Sequence, residues 1–320
     1  MLIDNDKEGD GEPMRFLRRS SFILMLLLFA LITACQSNDA DKPPDGPGGF
    51  LWKVEHGDTR VYLQGTIHIG EEDFYPLDYR IEEAFEASDV VLPEIDLNNQ
   101  DMMQIAEQTM QLATYDDGTT LKDHIPADLY EETVAVFEEL KLPVELFGIY
   151  KPWFIQTMLT ESYTQEAGFN FELGIDQHLL ERAAEDEKEV RELESFEEQM
   201  NLLAGFSDEI QIKLLEETLE NREHIAEETQ ELVSLWKKGN VKGMLDLLAA
   251  DHEQMSAEYE SYMKALNDER NIKMTDKIMD ILEEDSGKTY FVMVGAMHMI
   301  AKPSIISILE DNKYEVNHIY

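Results

Sequence analysis

Two Gly-x-x-His units stand near opposite ends of the chain, each closing a run of strand-forming residues: VYLQGTIHIG (61–70) and FVMVGAMHMI (291–300). Glycine at a strand's end allows backbone angles and close approaches that other residues resist. The histidine three positions on, His68 or His298, then sits at the mouth of a sheet and not within it. Neutral imidazole is a metal ligand and, near neutral pH, a base. A single histidine beside a strand end is more often structural than chemical. Two in matched contexts, following Gly65 and Gly295, have little structural reason to share a spacing. Glu94 follows the apolar run DVVLP (89–93) and offers a carboxylate at a third strand end, with Asp96 as its near competitor.

Two imidazoles and a carboxylate form a three-ligand set with positions left open for water. A cation held this way lowers the pKa of its water toward neutrality and supplies a hydrolytic nucleophile. Nitrogen and oxygen donors without thiolate do not choose among Mn²⁺, Co²⁺ and Zn²⁺. A variant of this chemistry needs no metal, one histidine activating water directly on an ester. Neither His-Glu-x-x-His nor Gly-x-Ser-x-Gly occurs, which separates the chain from the zincins and from serine hydrolases with a nucleophile elbow.

These groups need a sheet to position them. FLWKVEHGDTRVYLQG reads as a hairpin, with apolar residues alternating on both sides of the HGDT turn. LDYRIEEAFEASD suits a short helix and DVVLP a compact strand. From about residue 100 to 284 the apolar spacing is mostly helical, with acidic faces. The one interruption, KEVREL (188–193), has strand character. TYFVMV (289–294), a short helix with Pro303 in its first turn, and YEVNHIY close the chain. The fold class this predicts is α+β: a central sheet built from the N- and C-terminal parts, with a large acidic helical insertion, over residues 50–320. In sheets with helical connections, ligands bind at strand ends, so the two Gly-x-x-His ends can meet.

Ahead of this domain, MRFLRRSSFILMLLLFALITACQ (14–36) has arginines, an apolar core and small residues before a cysteine, the pattern of a secretory signal. Leu31 to Cys35 resembles the bacterial lipobox, which implies lipid on Cys35 and an anchor on the extracytoplasmic face of a bacterial cell membrane. The plainer reading is an ordinary signal peptide with an incidental cysteine. Met14 is the more natural start, with residues 1–13 an upstream extension. Cys35 is the sole cysteine, so no disulfide and no thiolate ligand is available to the folded part. The polar stretch QSNDADKPPDGPGG (36–49) reads as a flexible tether. A formal net charge of −42 argues against nucleic acid as a partner.

YLQGTIHIG with VVLPEID, and FVMVGAMHMI with ILEDNKYEV, resemble the TraB/GumN family, which includes the Tiki metalloproteases and is related to erythromycin-esterase-like proteins. GIDQHLLERAAEDEKEVRELES (174–195) and ERNIKM (269–274) are similar to further parts of its pattern. The resemblance implies metal-dependent hydrolysis of a peptide or small ester, with His68, Glu94 and His298 as the site. It implies a supporting cation in Arg270, able to hold a carboxylate or an oxyanion, with Asn271 fixing its geometry. Asp176 matches a family position but reads equally as the N-cap of QHLLERAA. Glu194 either joins the site or ends a strand. His56, His124, His178, His224, His252 and His318 lie in turns or on acidic helices; His178 is the one close to Asp176. A different class of reading, a non-catalytic lipid-anchored protein that binds metal or haem, uses the same histidines without turnover.

Overall fold

The computed structural model describes residues 46–250 and 257–320, with the backbone alone at 145–146 and 248–250. The signal segment, Cys35, most of the tether and His252 lie outside the described residues. The tether's last residues pack against the domain. Gly48 and Gly49 are buried, Gly49 O accepts a hydrogen bond from Gln64 Nε2 at 2.9 Å, and Pro47 O accepts one from Asp78 N at 3.0 Å.

One sheet of six strands organises the chain: β1 Leu51–His56, β2 Thr59–Thr66, β3 Val90–Pro93, β4 Glu189–Val190, β5 Thr289–Gly295 and β6 Val316–His318, in the order β4-β3-β5-β2-β1-β6. β1 and β2 form the hairpin, whose turn uses Gly57 at φ 57° and is braced by Asp285 Oδ1, which accepts from Asp58 N at 2.7 Å. β2, β5, β3 and β4 run parallel. A central parallel strand is covered on both faces and reads as an unbroken apolar run; β5, buried from Tyr290 to Val294, is that strand. The sheet is therefore α+β in class and draws on both chain ends, with β4 from KEVREL added at one edge.

Phe74, Phe85, Ile278 and Trp236 belong to one apolar cluster with Phe291 of β5. Trp236, on the helix Arg222–Lys237, stacks on Phe74 with ring centroids 6.0 Å apart and donates its indole N–H to Gly65 O at 2.9 Å. The helical block has a second cluster, with Phe137, Phe147, Ile155, Leu159, Leu215 and Leu219 packed together. Among the described residues no helix is long and apolar enough to cross a membrane.

Within the helical region, Asp208–Glu220 and Arg222–Lys237 are separate helices parted at Asn221. Pro303 precedes the last helix and is not in its first turn: Ser304 is the cap of Ile305–Asp311, its hydroxyl accepting from Ser307 N. His298 lies within a short helix, Ala296–Ile300, that follows β5 directly.

Candidate active site

β2 and β5 are neighbours and parallel, so their C-terminal ends open on one edge. Gly65 pairs with Val294 and Thr66 with Gly295, which sets the two Gly-x-x-His units side by side. β3 flanks β5 on its other side, with Pro93 opposite Met293, and delivers Glu94 to the same edge. The two glycines do different work. A Cβ on Gly65 would lie 2.9 Å from Phe50 Cβ and 3.0 Å from Ala296 Cα, so its absence permits backbone packing. A Cβ on Gly295 would lie 3.4 Å from Glu94 Oε1, 3.5 Å from His68 Nε2 and 3.7 Å from His298 Cδ2. Three reactive groups thus converge over the bare face of Gly295.

His298 is buried, and its Nδ1 stands 2.7 Å from Asn271 Oδ1. The Asn271 amide nitrogen donates to Pro303 O at 2.7 Å, which fixes the carboxamide with its oxygen toward the ring. His298 therefore carries its proton on Nδ1 and keeps a lone pair on Nε2. Burial lowers its pKa below the usual imidazole range, with Glu94 opposing, so the ring is neutral at pH 7.

His68 is held by Asp176, whose Oδ2 lies 2.8 Å from His68 Nδ1 and whose Oδ1 accepts the Thr66 hydroxyl at 2.5 Å. Asp176 is not the helix cap. The helix Ile175–Glu185 has Gly174 at that position, and a Cβ there would run into His68 O at 2.5 Å. Ile175 N donates to Ile67 O at 3.0 Å, so the helix starts against the first motif and aims Asp176 at its histidine. The nearby carboxylate pushes His68 above the usual imidazole range. The side chain is 61% exposed, so solvent screens this pairing.

Glu94 is all but buried and fully engaged. Its Oε1 accepts from Gly295 N at 2.6 Å, and its Oε2 from Arg270 Nη2 at 2.8 Å and Gln199 Nε2 at 3.2 Å. Burial alone would raise its pKa; in the acid range where it titrates, the protonated His298 and His68, with Arg270 and the Gly295 N–H, outweigh burial and lower the pKa to about 2. Arg270 also grips Glu194, with Nε 3.0 Å from Oε1 and Nη2 2.6 Å from Oε2. Glu194 thus faces the site from the strand's far end, and its own N–H donates to Glu94 O at 2.8 Å. The helix carrying Arg270, Glu269–Glu284, is preceded by a π-helical turn, Lys264–Asp268, of a kind often found beside functional sites.

Among the described residues, no group of three or more His, Cys, Asp or Glu side chains is gathered as a metal centre. The donor chemistry nonetheless fits a divalent ion. Both histidines have Nδ1 committed to an oxygen, as ligating histidines do, which leaves His298 Nε2 as a lone-pair donor beside ionised Glu94, and makes His68 Nε2 a second donor once an ion displaces its proton. His298 Nε2 and Glu94 Oε1 are 3.9 Å apart. Donors about 2.1 Å from one ion can be separated by up to about 4.2 Å, so this pair is within reach.

His178 stays apart from the site, stacked on Tyr75 at 3.8 Å. His124 stacks on Tyr115 and His318 on Trp52. Sequence reasoning missed Thr66 and Gln199. Thr66 had a signal, a hydroxyl inside the first motif where the second has Ala296. Gln199 had none, being one polar residue among many on the helix Phe196–Ala204.

The sequence pattern of the TraB/PrgY/gumN family matches residues 50–318, and the chain belongs to that family. It is 26% identical over 253 residues to "Uncharacterized protein YbaP" of Escherichia coli strain K12, covering 79% of this chain and 89% of that protein. It is 24% identical over 335 residues to "Metalloprotease TIKI1" of Danio rerio, covering 89% of this chain and 65% of that protein. The match to "Metalloprotease TIKI1" of Homo sapiens is 25% over 321 residues, with 84% and 61% covered. The chain thus spans less than two thirds of each of these two metalloproteases. No solved structure matches it.

Proposed function

We propose that the chain is a metal-dependent hydrolase, a peptidase, anchored by lipid on Cys35 at the extracytoplasmic face of a bacterial membrane. The observation that carries the catalytic reading is the convergence of Glu94 Oε1, His68 Nε2 and the His298 ring over Gly295. The names of the Tiki relatives support it. His68, His298 and Glu94 would hold the ion, of which Mn²⁺, Co²⁺ and Zn²⁺ all suit the donors. When bound, such an ion supplies Lewis acidity and a nucleophilic water at neutral pH.

The remaining chemistry belongs to the chain. Asn271 keeps His298 Nε2 free of a proton, and Asp176 holds the His68 ring by Nδ1 so that its Nε2 faces Gly295. Gly295, without a side chain, leaves room for a carbonyl. Arg270 pairs with Glu94 and Glu194 and offsets one of their two charges, and it would help to steady an oxyanion developing beside them. Measuring bound metal in the full chain after dialysis against Mn²⁺, Co²⁺ or Zn²⁺ tests the proposal. Near-stoichiometric metal, lost in both His68→Ala and His298→Ala, is the expected result. A folded parent that takes up none of the three sinks it.

A second reading is favoured by the Asp176–His68 pair. An exposed imidazole backed by a carboxylate is a general base in its own right, and it would serve a metal-free esterase. Hydrolysis of a simple ester that persists in EDTA would select this reading.

A further inference from the structure

We infer that the cleft beyond Arg270 seats about three residues of an extended polypeptide on one side of the bond to be cut. Its place in the reaction rests on the hydrolase reading above; its content rests on what lines it. The cleft has a volume of about 620 Å³ and runs between the helices Phe196–Ala204 and Glu269–Glu284. Glu194, Gln199 and Arg270 line it, and these are the residues that hold or touch Glu94. The cleft therefore shares a wall with the candidate site.

Its length decides between ligands. Arg270, Lys273 and Lys277 recur at three- and four-residue steps on one helix face and line one wall. Seven residues of helix rise about 10 Å, and an extended chain covers that in about three residues. A small ester would leave most of the space empty.

Charge decides the ligand's character. Arg270 is taken up by Glu194. Lys273 and Lys277 then share the walls with Glu198, Glu269 and Asp276. Mixed signs select neither a polyanion nor a polycation, and suit a chain of neutral dipoles. Leu193, Leu202 and Ala265 add apolar surface for its side chains.

Gln199 supplies the junction. Its Nε2 donates to Glu94 Oε2 at 3.2 Å and to Glu194 Oε2 at 3.1 Å. Its Oε1 accepts no hydrogen bond from the described residues. With the nitrogen anchored, that oxygen is an acceptor for a main-chain N–H entering the site.

The test is binding without turnover. Fluorescence anisotropy of a pool of random-sequence decapeptides bearing fluorescein is read against the full chain in EDTA. The parent is expected to bind saturably. Leu202→Trp, which fills the cleft, and Gln199→Leu, which removes the acceptor, are each expected to weaken binding by about tenfold or more. Melting curves show which variants keep the fold, and either one suffices. A parent that does not bind, or a folded variant that binds as the parent does, overturns the inference. Because no metal or cleavage is involved, a failed hydrolase reading leaves this result standing. Cleavage by the metal-loaded parent without peptide binding in the cleft rejects the cleft alone.

Discussion

Asn271 Oδ1 lies 2.7 Å from His298 Nδ1, and the same carboxamide is locked in place by Pro303 O. An amide that cannot flip assigns the ring's proton, and so assigns Nε2 as the free donor. Asn271→Leu preserves bulk and removes that assignment. Divalent-metal affinity is expected to fall about 10–100-fold, the usual cost of losing such a partner. Calorimetric titration of parent and variant measures it; equal affinities would show that the contact is only structural.

The two motif glycines predict opposite phenotypes. Gly65→Ala places a methyl against Phe50 and the Ala296 backbone, and overpacking of this kind costs about 1–3 kcal/mol. Gly295→Ala meets only ordinary contacts at 3.4–3.7 Å, and its φ of −51° is open to any residue. It is expected to melt close to the parent yet to lose metal binding, because its methyl enters the space between Glu94 and His68. Melting temperature and bound metal, measured on both variants, separate the two roles. A Gly295→Ala protein that retains full metal would remove the glycine from the site.

This contrast shows how far the sequence could be read. His68, His298 and Glu94 were visible because strand patterns are local: an apolar run ends, and a polar residue follows. Arg270 and Asn271 stand on a helix far from those strands in sequence, and only a resemblance suggested them. For Asp176 the sequence left a site role and a helix cap equally open, because both place a carboxylate at a helix's start, and the position of Gly174 as the cap, against His68 O, decides between them. Gln199 was illegible, since its partners come from β3's end and from Glu194, which no spacing within 196–204 encodes. The edge strand β4, two residues long, shows in the sequence only as KEVREL.

His68 and Asp176 give a prediction readable without metal. The carboxylate raises the imidazole pKa, so Asp176→Asn should bring it back toward the ordinary value of 6.5. In the parent, a raised pKa means stability that is full below 6.5 and lost as pH climbs through the folded value; in Asp176→Asn this slope should flatten. NMR titration of the His68 ring in the metal-free protein gives the pKa directly. A His68 that titrates alike in both proteins would mean that water, and not Asp176, sets its charge.

Arg270 carries the largest energetic stake. It holds Glu94 and Glu194, both all but buried, and removing the cation from such a group leaves uncompensated charge at a cost of about 3–5 kcal/mol. Arg270→Met is expected to lose that much in urea unfolding at pH 7. The pH dependence should also flatten. In the parent, Glu94 is depressed from 4.5 to about 2, so its contribution is full above 4.5 and is lost as pH falls toward 2. Without Arg270 one of the charges that hold the Glu94 carboxyl down is gone, so its folded-state pKa should rise toward 4.5 and acidification should cost the variant less than it costs the parent. Glu194→Gln in the Arg270→Met background removes one of the two charges and should recover part of the loss at pH 7. Unfolding curves of parent, single and double variants from pH 3 to 7 measure all of this. Parallel pH profiles for parent and Arg270→Met would mean that Glu94 does not depend on the guanidinium for its charge.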